Sequence, residues 1–268
     1  VARQKGRNEA KSWSPAVGRT GPRGRRHAAS SAGADWLWGW RPVLAALANP
    51  ARGPPRRLVA TAERARQLEA ALPQLAPPEI LDAGAIARLL PHGATHQGVA
   101  LKAAPLEPLS LEAIATPAAG VLVMLDQVTD PQNVGAIFRS AAAFGAKGVI
   151  VQDRHAPAFT GVLAKAATGA LEALPHARVV NLARALDQLA DLGWRAVGLA
   201  GEAETDLADV LDERPTVLVL GSEGEGLRRL VGEHCDALAR IPMPGGVASL
   251  NVSAAAAVAL YAWLRSRR

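Results

Sequence analysis

The sequence predicts an α/β protein: a mostly parallel sheet in the C-terminal part, with a smaller α/β unit before it. Three observations carry this expectation. Unbroken apolar, β-prone runs recur at 121–125, 148–151, 179–180, 196–199 and 217–220, and strands apolar at every position belong to sheets covered on both faces. Helical patterns stand between them, the clearest over 133–144, and such alternation is the mark of βαβ units. The 268 residues are 49% hydrophobic and 4% aromatic, so Ala, Val and Leu fill the core.

The chain divides by composition. Residues 1–34 hold eight Lys or Arg (Arg3, Lys5, Arg7, Lys11, Arg19, Arg23, Arg25, Arg26) against Glu9, a balance of +7 in a chain of net charge +6. The rest is therefore near neutral, at −1. Basic, Gly/Ser/Pro-containing and without apolar periodicity, this tail is expected to be disordered. Two readings of it are open: a solvated extension, or an arm that binds a polyanion. No apolar signal core follows the basic start and no apolar run approaches 18 residues. With Cys235 the single cysteine, the expectation is a cytoplasmic protein with no membrane contact.

Residues 35–105 read as a small α/β domain. Trp36–Trp40 lead into a helix that ends near Asn49-Pro50. A strand at 58–61 is followed by a charged helix over 62–72. A strand-helix pair spans 80–90, and a last strand is expected at 99–101. The tryptophans are read as packing rather than base-stacking groups. Residues 106–118, with Pro108 and Pro117, read as a linker, and 119–268 as the sheet domain. Within the last part, 254–264 is an Ala-rich helix apolar on nearly every side, expected to be buried.

Three loops at strand ends carry unusual residues, where open parallel sheets bind ligands. They are 126–135, leading into a helix with Arg139; 221–226, Gly-Ser-Glu-Gly-Glu-Gly; and 241–253, a Pro/Gly turn that presents Ser249, Leu250, Asn251 and Ser253 as an N-cap. Gly221-x-x-Gly224-x-Gly226 lacks dinucleotide spacing, and no P-loop Lys-Ser/Thr follows it. Glu223 and Glu225 are open to two readings, helix-start acids or catalytic groups. Arg139 alone reads as a solvated or ion-paired helix residue. His234-Cys235-Asp236 lacks metal spacing, so no metal site is expected.

Together the loops resemble something more specific. Asn133-x-Gly135-x-x-x-Arg139-Ser140-Ala141, Leu220-Gly221-Ser222-Glu223-Gly224-Glu225-Gly226-Leu227, and Ile241-Pro242-Met243 with Ser249-Leu250-Asn251-Val252-Ser253 resemble the three motifs of the SpoU (TrmH-like) methyltransferases. These belong to the SPOUT superfamily of RNA 2′-O-ribose methyltransferases. The run Lys165 to Glu172, together with His96-Gln97-Gly98-Val99, is similar to the branch that methylates a guanosine of bacterial 23S rRNA. The resemblance covers about residues 35–268 and leaves the tail outside it.

The resemblance implies a C-terminal domain threaded into a deep trefoil knot, an RNA-binding N-terminal domain and a homodimer formed through the knotted region. It implies S-adenosylmethionine as methyl donor, held by Gly221, Ile241, Met243 and Leu250, with 23S rRNA as partner and no metal. Catalysis would fall to Arg139, with Asn133, Glu223, Ser249 and Asn251 arranging the acceptor hydroxyl. A guanidinium has no acceptor and a pKa above about 12. Phosphate binding and alkoxide stabilisation therefore suit Arg139 better than proton abstraction. Glu223 would then hold Arg139 or take the proton. A tRNA ribose methyltransferase and a catalytically inactive rRNA-binding assembly factor are the competing readings.

Overall fold

The computed structural model describes residues 35–245 and 249–267. The expectations placed on the basic tail, and on the turn at 246–248, lie outside them. The described residues belong to one compact unit, Ser31–Arg268.

The first part builds a four-stranded sheet. Its strands are β1 (Trp36–Trp38), β2 (Arg57–Ala60), β3 (Glu79–Ile80) and β4 (Val99–Lys102), in the order β1-β4-β2-β3. β4 runs antiparallel to β1 and β2, while β2 and β3 are parallel. The helices are α1 (Trp40–Ala48), α2 (Ala62–Ala71) and α3 (Ala83–Leu89). Thr61 and Asp82 cap the last two by accepting from Arg64 N and Ala85 N, which satisfies amides that have no partner inside the helix. β1 is a strand where the sequence suggested only a lead into a helix, and Trp36 and Trp38 are buried in it.

The stretch read as a linker, 106–118, also carries structure. Ser110 caps the helix α4 (Leu111–Ala115), whose Ile114 and Ala115 are buried. Leu109 N bonds to His176 O at 2.8 Å and so extends a sheet edge. A five-residue helix between prolines is too short to show a period.

The second sheet is parallel throughout. Its strands are β5 (Val121–Leu125), β6 (Gly148–Gln152), β7 (His176–Val179), β8 (Arg195–Leu199), β9 (Thr216–Leu220) and β10 (Ala237–Ala239). Their order is β10-β8-β9-β5-β6-β7. Successive residues face opposite layers. Val121, Val123 and Leu125 join one apolar cluster while Leu122 and Met124 join another, so both faces need cover and the strand is apolar throughout. One layer holds α5 (Pro131–Ala143), α6 (Gly161–Ala167), α7 (Ala170–Ala173), α9 (Leu207–Val210) and α11 (Val252–Arg265). The other holds α4, α8 (Leu182–Asp191) and α10 (Arg229–Glu233).

Two elements depart from the sequence reading. β7 covers His176–Val179 and stops short of Val180, which is 70% exposed. The polar His176 and Arg178 hid the strand's true start. In α11, Val252, Ala256, Ala259, Leu260 and Trp263 are buried, yet Val258 and Tyr261 are 42% and 54% exposed. One apolar stripe of this helix is thus uncovered in the single chain.

A buried ion pair fastens the two sheets together. The Arg52 guanidinium donates to both Glu172 carboxylate oxygens, with Nη2–Oε1 at 2.7 Å, and Asn49 Nδ2 adds a bond to Oε2 at 2.9 Å. Arg52 stands just before β2 and Glu172 lies on α7. The family-like Gly169-Ala170-Leu171-Glu172 run therefore has a mechanical role: its carboxylate holds the first sheet's connections. α6 in turn lies close against α5 because Gly135 has no side chain. A Cβ there would strike Leu163 O and Ala166.

Candidate active site

The carboxyl ends of β5, β8 and β9, with the segment that enters α11, surround the residues singled out in the sequence. Asp126 ends β5 fully buried. It accepts from Arg228 N at 2.9 Å and Arg228 Nε at 2.7 Å. That pair, helped by Arg228 Nη2 to Gln152 Oε1 at 3.1 Å, anchors the far end of the 221–227 loop. The loop closes on itself through Ser222 N to Gly226 O and Gly226 N to Ser222 O, both 3.1 Å. Gly221 is needed for that closure, since a Cβ there would overlap the backbone of Gly226 and Leu227.

Above this loop is a cavity of about 490 Å³. Gly221, Ile241, Met243 and Leu250, the expected cofactor residues, all line it, and so do Glu223 and Ser249. The sequence reading missed the turn after β8, where Gly201 and Glu202 complete the wall. The strand-end rule would have pointed there too, but that turn matches no motif. Glu202, Glu223 and Glu225 are the charged residues of the lining, and among the described residues no cation lines it with them.

Glu223 sits at one edge, and its Oε1 gathers three donors: Asn251 Nδ2 at 2.7 Å, Asn133 Nδ2 at 3.0 Å and Val252 N at 3.4 Å. Asn251 Nδ2 also reaches Asn133 Oδ1 at 3.0 Å. Each asparagine is fixed by a helix start. Asn251 caps α11, its Oδ1 taking Ser253 N at 2.9 Å. Asn133 stands in the first turn of α5, where Asp130 caps Gln132 N and Asn133 N and Pro131 sets the entry. Two caps therefore aim two amides at one carboxylate.

Arg139 is elsewhere. It is exposed, lines neither this cavity nor the next, and makes no hydrogen bond or ion pair among the described residues. The expectation that Glu223 holds Arg139 is corrected accordingly: the amides of Asn133 and Asn251 hold it. The reason is helical geometry. Arg139 follows Gln132 by seven residues, so it shares that residue's face of α5 about 10 Å further along.

On the other side of Asn133 and Asn251 lies a second cavity, of about 600 Å³. It is bounded by the 91–95 loop and Trp38 of the first part and by α5 and α6 of the second. Lys165 is its charged residue, and among the described residues no carboxylate lines it. Among the same residues, no group of three or more His, Cys, Asp or Glu side chains could hold a metal ion. None of their helices is long and apolar enough to cross a membrane.

A parallel α/β sheet with cavities at its carboxyl ends defines a ligand-binding class, and comparison with known proteins narrows it. The model of the SpoU rRNA Methylase family matches residues 120–261, more than half of the chain, and the chain belongs to that family. It is 45% identical over 181 residues to an uncharacterized tRNA/rRNA methyltransferase of Synechocystis, covering 66% of this chain and 47% of that protein. Against the 23S rRNA (guanosine-2′-O-)-methyltransferase RlmB of Pseudomonas aeruginosa the identity is 46% over 177 residues, with 64% and 71% covered. The chain spans about half the length of several curated relatives it matches, 47%, 57% and 59%. The SpoU methyltransferase AviRb of Streptomyces viridochromogenes, solved with AdoMet, superposes with a TM-score of 0.73 at 29% identity, covering 87% of this chain and 89% of that one. An AdoMet-bound rRNA methyltransferase of Sinorhizobium meliloti gives 0.71 at 26%, with 86% of each chain covered.

Proposed function

We propose that this protein transfers a methyl group from S-adenosylmethionine to the ribose 2′-hydroxyl of a guanosine in bacterial 23S rRNA. One observation carries the reading: the Asn133–Glu223–Asn251 cluster stands between two cavities of opposite charge. The acid-lined cavity suits a cationic methyl donor, and the cavity holding Lys165 suits a polyanion. The donor supplies an electrophilic methyl group. Its residues fit the first cavity, where Leu220, Ile241, Met243 and Leu250 offer apolar walls and the 221–226 backbone offers polar ones.

The chain's own groups then have defined tasks. Asn133 and Asn251 occupy Glu223 Oε1 and fix the carboxylate, leaving Oε2 to accept the proton of the 2′-hydroxyl. Ser249, at the rim, orients the acceptor oxygen. Arg139, on the Gln132 face of α5, binds a backbone phosphate of the same RNA. Proton removal thus falls to a carboxylate and not to a guanidinium.

The reading includes a homodimer through the exposed Val258–Tyr261 stripe of α11 and the adjoining α5. It also includes a knotted C-terminal chain, an RNA-binding role for residues 35–105, and a cytoplasmic location beside the ribosomal RNA. Light scattering should give twice the chain mass, and a monomer active in methyl transfer would remove the dimer.

The deciding experiment incubates the full chain with isotopically labelled methyl donor and total bacterial RNA, then maps ribose methylation. Label on one guanosine of 23S rRNA is expected. Label confined to tRNA would move the substrate, and no label despite rRNA binding would make the protein an assembly factor.

A further inference from the structure

The second cavity contains what a nucleotide-recognition site needs and what the transfer chemistry alone does not. Lys165 projects from α6 without a carboxylate partner among the described residues. Its Nζ is held instead by Gln97 Oε1 at 3.0 Å. The same oxygen takes Trp40 N at 3.0 Å, so Gln97, with φ of 56°, is itself fixed between strand and helix. An ammonium positioned by a neutral acceptor keeps donors to spare and lacks a counter-charge. Partial burial pushes its pKa down, which marks the head group as short of water. His96, whose Nδ1 accepts from Gly98 N at 3.1 Å in the same turn, is likewise pushed down by burial and by Lys165.

Trp38, Pro91, Ala136, Val162 and Ala166 give apolar walls, with the polar side chains of His92, Thr95, Gln132 and Ser253 beside them. A phosphate alone would leave most of about 600 Å³ unfilled. A planar base with its ribose is of the right kind, and its sugar would lie beside Asn133 and Asn251, which close the cavity toward Glu223. The occupant must also offer acceptors to an ammonium. Guanine offers N7 and O6 side by side, whereas adenine sets an amino donor beside N7.

We propose that the second cavity takes the acceptor nucleotide lifted out of its stack, and that Lys165 selects guanine by donating to N7 and O6. Lys165 is then a specificity-determining residue. The inference rests on the proposed function for the identity of the acceptor, and it assigns that acceptor's base to a site made by both parts of the chain. Lifting one nucleotide out costs stacking energy that the apolar walls and the lysine contact offset.

The test uses short single-stranded RNAs with one central purine in a uridine tract: guanosine, 7-deazaguanosine or adenosine. Binding without methyl donor and methyl transfer with it are both measured, for the wild type and for Lys165→Met. The wild type should prefer guanosine over the other two by roughly 10- to 100-fold. Lys165→Met should lose that preference while S-adenosylmethionine affinity, read by calorimetry, stays within about a factor of two. An equal loss on all three RNAs would mean a phosphate contact, and retained preference would mean no contact; either overturns the proposal. Val162→Trp, at an exposed wall position, should weaken all three RNAs and spare the methyl donor, and unchanged RNA affinity would also overturn it. A wild type that binds guanosine RNA selectively but transfers no methyl group would sink the enzymatic reading and leave this site standing.

Discussion

The two cavities meet at one hydrogen-bonded cluster, with Glu223 on the side of the first and Asn133 and Asn251 on the side of the second, and they differ in almost everything else. The first is made by loops of a single parallel sheet and the start of α11, and joins apolar walls at Leu220, Ile241, Met243 and Leu250 to the carboxylates of Glu202, Glu223 and Glu225. The second lies between the first part and the helices α5, α6 and α11, and is lined by Lys165 with apolar side chains and polar ones such as Gln132, Asn133 and Asn251. Charge sorts their occupants, and the way each is built sorts their sensitivities. A change at Gly221 should reach only the first, and a change in how the sheets are fastened should reach mainly the second.

The largest effect tests the cluster where the two cavities meet. Glu223→Gln keeps an oxygen for the two amides but cannot carry away a proton. Single-turnover methyl transfer should fall by roughly 10³- to 10⁴-fold, with both ligands still bound. A fall below about tenfold would make Glu223 a positioning group, and the proton would need another acceptor.

Fastening comes next. Arg52→Met leaves the Glu172 carboxylate buried without its cation, which costs about 3–5 kcal/mol in urea unfolding. Arg52→Met with Glu172→Met should recover most of that loss. The single variant should weaken RNA more than the methyl donor, and equal weakening would erase the distinction between the cavities.

Arg139→Lys probes a residue that lies on neither cavity. Losing the planar fork should slow transfer by about 10²-fold, with methyl-donor affinity unchanged and the apparent pKa of the rate profile in place. A downward shift of that pKa would restore the arginine as the base.

The smallest effect concerns the packing behind the latch. His176 is buried against Phe138 and Phe159, its Nε2 has no partner among the described residues, and burial with the nearby Arg178 and Arg52 holds its pKa down at about 4 against an ordinary 6.5. As pH falls through 6.5 the unfolded chain takes up this proton first, so stability is lost between about pH 6.5 and 4. His176→Phe should remove on the order of 2 kcal/mol of that acid sensitivity, measured as the difference in unfolding free energy between about pH 7 and 4.5. An unchanged difference would place the acid response elsewhere.

Four strands of the parallel sheet, β5, β6, β8 and β9, were legible because each is short, local and largely apolar on both faces. The first cavity was legible for a related reason: Gly221, Glu223, Ile241, Met243, Ser249 and Leu250 belong to two short loops at strand ends. The Asn251 cap could be read from the small polar residues before an apolar helix. Three things could not be read. β10 and α4 are too brief to have a period, and Arg139's distance from Glu223 depends on helix phase and packing. The second cavity lies between the two parts, where Glu172 ties Arg52 and Asn49 to α7 and Gly135 lets α6 approach α5. Trp38, the 91–95 loop and Lys165 are far apart in sequence, and each alone looks like a packing, turn or surface residue. Sequence by itself determined the elements and the loops that carry the chemistry, since both are set by neighbours along the chain. Tertiary structure decided which groups meet, since burial of one ion pair and close contact of two helices are properties of the folded chain alone.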